Sequence, residues 1–232
     1  MNQQFTYFLI LGASLAGPFL LSFDKKVAFY KSWNFLFPAM VFPALFYIIW
    51  DCWFTSKGVW SFNPDKIVQS YLYNLPIEEV LFFFIVPYCC VFIYECIRCY
   101  FPGIKDGNWA ASFFILLGVA FLIAAVFVFG KDYTFYTLLF NGIFILLFFL
   151  FRKQFPFFHI TRFLISYLII LIPFLIVNGF LTAIPVVLYN NEENLATRIH
   201  TIPVEDVFYG MLLIMMNVIG FEWLRNRKLQ SS

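Results

Sequence analysis

The chain has 232 residues, of which 62% are hydrophobic and only 12% charged, a composition that excludes an ordinary soluble domain and points to a bilayer. A formal net charge of +2 gives no support for nucleic-acid binding. The five cysteines, Cys52, Cys89, Cys90, Cys96 and Cys99, lie in or beside apolar runs, where cysteine behaves as a small hydrophobe. The C-x-x-C spacing of Cys96 and Cys99 lacks the strand–helix surroundings of a redox domain.

Apolar runs of about 20 residues predict seven spans, at roughly 4–22, 33–53, 76–97, 111–129, 133–151, 162–188 and 203–224. No basic residue precedes Lys25, so the first run lacks the n-region of a signal peptide and is expected to remain as a span. Gly130-Lys131-Asp132 is expected to make the tight turn between the fourth and fifth. Sorted into alternating loops, eleven of the 15 basic residues fall on one side; only Lys57, Lys66, Lys131 and Arg198 fall on the other. The positive-inside rule then puts the N-terminus outside and the C-terminus in the cytoplasm. His159 and His200 fall on opposite sides, so no metal site is expected.

The chain repeats itself. Displaced by 127 residues (203 minus 76), Pro76, Glu78, Val80, Val91, Glu95 and Arg98 fall on Pro203, Glu205, Val207, Val218, Glu222 and Arg225, and Glu79 falls on Asp206. Matched polar residues inside apolar spans are what make this specific. Pro43 and Pro173 correspond only at 130, which predicts that the loops after the second and sixth spans differ in length. The expected fold is an all-α transmembrane bundle of seven helices in a 3+1+3 parallel repeat: residues 1–110, a linking helix at 111–130, and residues 131–232. An odd linker gives both halves the same orientation and brings both acidic motifs to one depth.

Proline in the first turn of a helix loses no hydrogen bond, and acids there favour the macrodipole by about 0.3–1 kcal/mol, so Glu78, Glu79, Glu205 and Asp206 each have a bland explanation as helix starts. Their duplication, and the apolar runs that follow at once, argue instead for carboxyls facing a bundle interior. A carboxylic acid in an apolar site is a general acid. Neighbouring residues on a helix are about 100° apart, so one acid of each pair is expected to react while the other tunes it. Glu95 and Glu222 lie about 25 Å further along. Each has an Arg three residues on, Arg98 and Arg225, the spacing of an intrahelical ion pair. With 35 Phe, 13 Tyr and six Trp, an interior cleft is lined by rings able to stabilise positive charge.

Three blocks carry a resemblance: Gly58-Val59-Trp60-Ser61-Phe62-Asn63-Pro64; Leu75-Pro76-Ile77-Glu78-Glu79 through Val86-Pro87-Tyr88-Cys89 to Tyr94-Glu95; and Pro173 through Asn178-Gly179 to Pro203-Val204-Glu205-Asp206. They resemble the membrane-type lycopene cyclases, which occur as two small subunits, as one fused chain, or as a domain of fungal fusion proteins. The resemblance implies cyclisation of the ends of lycopene to β-rings without net redox change, an intramolecular lyase or isomerase. It implies Glu78, Glu79, Glu205 and Asp206 as catalytic residues, with Asp206 departing from the Glu of the motif. Glu95, Arg98, Glu222, Arg225 and Asn178 are expected in structural or substrate-binding roles. It also implies a lipid-soluble carotenoid substrate, a multi-pass location in a bacterial inner or plasma membrane, and no obligate protein partner. No G-x-G-x-x-G occurs, so no Rossmann-bound cofactor is expected. A proton-coupled transporter on the same repeat, and a cyclase or hydratase of longer C50 carotenoids, are the competing readings.

Overall fold

A computed structural model describes residues 3–230 and is mostly helical. Among the described residues, seven helices are long and apolar enough to cross a membrane: α1 (Thr6–Leu21), α2 (Trp33–Lys57), α3 (Ile77–Tyr100), α4 (Asn108–Phe127), α5 (Asp132–Leu150), α6 (Ile160–Ala183) and α7 (Glu205–Gln230). Pro18, Pro38, Pro43, Pro87 and Pro173 sit inside them, which bundled membrane helices tolerate. The helix α2 runs four residues past its predicted end and stops at Gly58, whose left-handed φ of 73° only glycine adopts freely. By contrast, α6 stops five residues early. Pro185 cannot donate to a helix and disfavours helical geometry at Ile184, so the chain leaves at Ala183.

The segments between helices correct an all-α reading. Six short strands form three antiparallel ladders: β1 (Trp60–Phe62) with β4 (Val187–Tyr189), β2 (Tyr71–Leu72) with β3 (Leu75–Pro76), and β5 (Arg198–Ile199) with β6 (Ile202–Pro203). Runs of two or three residues are too short to show an alternating pattern. Backbone detail recurs here at the 127-residue interval. Val59 N–H donates to Phe54 O at 3.0 Å and Val186 N–H to Leu181 O at 2.8 Å; Ile77 N–H donates to Ser70 O at 2.8 Å and Val204 N–H to Thr197 O at 3.1 Å. Gln69 and Ala196 are left-handed at φ 58° and 55°, as are Tyr73 and His200 at 59° and 58°. The loop after α6 (184–204) is thus longer than the loop after α2 (58–76), as expected, but the matched bonds keep the 127-residue interval, so the difference lies at the helix ends and the prolines are offset within their helices.

The β1–β4 ladder pairs Ser61 with Leu188, Trp60 with Tyr189 and Phe62 with Val187. Ser61 and Leu188 are themselves 127 residues apart, so each strand meets its own counterpart. Asn63 N–H to Val186 O and Asn190 N–H to Val59 O, both 2.9 Å, extend the pairing evenly on each side. Below it, α3 and α7 touch at the centre; α1 packs on α3 as α5 packs on α7, while α2 packs chiefly on α7 and α6 chiefly on α3. The α4–α5 hairpin turns at Gly130, φ 97°, in the predicted turn. It closes tightly at Gly142, where a Cβ would lie 2.6 Å from the Leu122 side chain and 2.9 Å from Gly118 O.

At the far end from the ladders, Glu95 is buried and accepts from Arg98 at 2.7–2.8 Å and from Arg225 of α7 at 2.7 Å. Arg225 also pairs with Glu222, which accepts from Tyr94 at 2.9 Å. The predicted intrahelical pairs exist, and Arg225 converts them into a bridge between α3 and α7. Glu95→Gln leaves Arg98 without a carboxylate and Arg225 with Glu222 alone, and we expect it to cost about 1–3 kcal/mol. That loss should appear as a lower thermal midpoint in detergent, with a smaller drop for Arg98→Gln at the more exposed edge.

Candidate active site

Each acidic motif begins a helix directly after a two-residue ladder, β3 before α3 and β6 before α7. The first acid of each pair turns back to its own loop. Glu78 Oε1 accepts Val68 N–H at 2.7 Å; Glu205 Oε1 accepts Leu195 N–H at 2.8 Å and the Thr134 hydroxyl at 2.6 Å. Both carboxyls are buried, and neither lines the cavity described next.

The second acid of each pair points inward. Glu79 Oε2 accepts the Tyr7 hydroxyl of α1 at 2.6 Å. Asp206 accepts two phenols, Tyr133 of α5 at 2.5 Å and Tyr189 of β4 at 3.1 Å. Burial, and next to it the Asp206 carboxyl, push the Tyr189 hydroxyl well above its ordinary range, so it stands as a donor. A third acid joins them: Asp51 of α2 accepts the Tyr209 hydroxyl at 2.6 Å and lines the same cavity as Glu79.

Asp51, Glu79 and Asp206 line one cavity of about 40 Å³ under the β1–β4 ladder. Its walls are rings, Trp60, Phe62, Phe82, Tyr133, Tyr189 and Tyr209, with Phe174 and Asn178 at one flank. The Trp60 ring stands edge-on to Tyr133 at 5.2 Å, and Tyr133 stacks on Tyr189 at 5.8 Å. Among the described residues no group of three or more His, Cys, Asp or Glu is arranged to hold a metal ion.

Of the sequence candidates, Glu79, Asp206 and Asn178 meet at this cavity; Glu78 and Glu205 sit behind it, and Glu95, Arg98, Glu222 and Arg225 lie at the other end of the helices. Sequence reasoning passed over Asp51 and the tyrosines. A lone acid inside a predicted span was a usable signal for Asp51. The 127-residue interval places it on Asn178, so no matched acid drew attention to it.

These features define a seven-helix membrane protein with a buried, ring-walled acidic cavity at the junction of two matched acidic motifs. The family model for lycopene cyclase matches residues 4–97 and again 130–224. The chain belongs to the lycopene cyclase family, in its fused two-repeat form. It is also similar to a bifunctional lycopene cyclase/phytoene synthase of Podospora anserina, 38% identical over 45 residues, which is 19% of this chain and 8% of that protein. No solved structure matches.

The geometry separates the two acids of a motif. In Glu78→Gln the amide oxygen keeps the acceptor for Val68 N–H, whereas Glu78→Ala removes it and loses a part-buried hydrogen bond to a carboxyl group, at about 1 kcal/mol. Hydrogen exchange over residues 64–72 is expected to speed up in Glu78→Ala and to stay near wild type in Glu78→Gln.

Proposed function

We propose that the protein is a carotenoid cyclase that converts the acyclic ends of lycopene to β-rings by acid-initiated carbocation chemistry, with no net redox change. The observation that carries this reading is the convergence of Asp51, Glu79 and Asp206 on one buried cavity walled by aromatic rings. Family membership supports it.

In the proposed mechanism, Asp51 and Glu79 act as a pair. Both line the same cavity, and two carboxyls brought together in an apolar site hold one proton between them instead of both ionising. That proton is delivered to the terminal double bond of the substrate. The resulting cation is attacked by an internal double bond, a carbon–carbon bond closes the six-membered ring, and a ring proton leaves to restore an alkene. Asp206, already accepting two phenolic O–H groups and therefore offered donors to its anionic form, takes that proton. Trp60, Phe82 and Tyr133 shelter the cation, each well-placed ring contributing ~0.5–2 kcal/mol. Glu78 and Glu205 hold the loops that position the helix starts.

We also propose the 3+1+3 parallel arrangement, with residues 1–110 and 131–232 as repeats and 111–130 as the linking span. The matched hydrogen bonds and left-handed residues at the 127-residue interval support it. With the N-terminus outside and the C-terminus cytoplasmic, the acidic cavity lies toward the non-cytoplasmic face.

Purified protein in lipid is expected to convert lycopene without a soluble cofactor, and reaction in deuterated water to place deuterium on the new ring. Asp51→Asn, Glu79→Gln and Asp206→Asn are each expected to lower turnover by roughly 10²–10⁴, while Glu78→Gln retains most of it. Full activity in all three amide variants would sink the acid–base assignment. Chromatography of the product separates ring closure from hydration of the same cation, and unchanged lycopene would favour a transporter.

A further inference from the structure

The acidic cavity shares its flank with a second space. Phe174 and Asn178 also line a cavity of about 150 Å³ between α1, α3 and α6, together with Pro18, Cys89, Ile93 and Val177. Its lining is almost wholly carbon and sulfur, and neighbouring Pro173 is exposed on the lipid-facing surface of α6. The opposite side of the bundle has an apolar cavity too, about 330 Å³ between α2, α5 and α7, lined by Phe42, Leu147, Met216 and Gly220 among others. It shares no lining residue with the acidic cavity.

The residues that close the two sides differ at matched positions. Phe174 corresponds to Tyr47, 127 residues earlier, and Gly210 to Phe83. Tyr47 is fastened: its hydroxyl donates to Tyr209 O at 2.9 Å, and its ring packs against Trp50 at 5.4 Å and Phe83 at 5.5 Å. Phe174 has no hydroxyl to fasten, and its ring tip rests over Gly210, where a Cβ would lie only 2.6 Å from Cζ. One side is bolted and filled; the other is closed by a single ring seated in a glycine notch. The acidic cavity of about 40 Å³ has room for a few water molecules, far short of a six-membered terpenoid ring, so a wall has to move for a substrate end to enter.

We infer that the α1/α3/α6 groove is the lateral entrance for the carotenoid polyene, that Phe174 is the ring that swings aside to admit its end to the acids, and that the α2/α5/α7 groove is blind. This rests on the proposed carotenoid function. The occupant is an apolar polyene, because the groove offers no charge and opens from the acidic cavity toward lipid.

The test compares Val177→Trp, which fills the entrance, with Leu147→Trp, which fills the opposite groove, both in lipid nanodiscs. Two quantities are read: the KM for lycopene, and the amount of β-carotene retained per protein after gel filtration. Val177→Trp should raise KM at least about tenfold and lower retention in proportion, while Leu147→Trp stays within about twofold of wild type in both. Ile93→Trp, from the α3 wall, should reproduce the effect if Val177→Trp fails to assemble. A wild type that cyclises lycopene, with Val177→Trp and Ile93→Trp unaffected or Leu147→Trp equally impaired, overturns the entrance and leaves the cyclase reading standing. A wild type that does not cyclise, but whose polyene retention is lost on filling only this groove, supports the entrance and removes the cyclase reading.

Discussion

A carboxyl group buried in a membrane-spanning bundle must find hydrogen-bond partners within the protein, because neither water nor lipid supplies them. Five such groups gather at one end of this bundle, and their needs organise it. Tyr7 and Tyr133 reach in from α1 and α5, Tyr209 from α7 and Tyr189 from the ladder, each ending on an acid. Backbone amides of Val68 and Leu195 serve the other two, which fixes the loops between α2 and α3 and between α6 and α7. The outer helices, the strands and the long loops are thus all tied to the same cluster.

The membrane class, the seven spans and the doubled motif were legible in the amino-acid sequence because each rests on a pattern: length of apolar runs, or polar residues repeated at a fixed interval. What was not legible lacked such a pattern. Glu78 and Glu79 are neighbours, and which one faces the cavity depends on the rotation of α3, set by its packing on α1 and α6. In a chain with 13 Tyr and 35 Phe, nothing marks Tyr7 or Tyr133 as the donors until helices bring them to an acid. Asp51 was hidden by its counterpart being Asn178, and the end of α6 by an apolar run, Val186-Val187-Leu188, that continues past Pro185.

Those same hidden differences give the molecule its asymmetry. Pairing of each ladder strand with its own counterpart places the acidic cavity beneath a near-symmetric lid. Around it, matched positions have diverged in kind: Asp51 against Asn178, Tyr209 against Phe82, Tyr189 against Phe62, Glu79 against Asp206. One member of each of the first three pairs carries an ionisable group and the other does not. The outcome is a single cavity with a proton-handling wall and an apolar flank. Acid and base duties can then fall to different carboxyls, which two identical halves would not allow.

Such asymmetry bears on how a long substrate with two identical ends would be processed. The acids lie at one depth near one face, and the inferred entrance meets them from one side only, along Phe174 and Asn178. A polyene lying in that groove presents a single end to Glu79 and Asp51 while its remainder stays in lipid. Closing the second ring then requires the chain to withdraw, turn and re-enter. On the proposed cyclase reading, the half-cyclised carotenoid would leave the site before its second ring closes, and the second repeat would contribute to one specialised site and not form a second one.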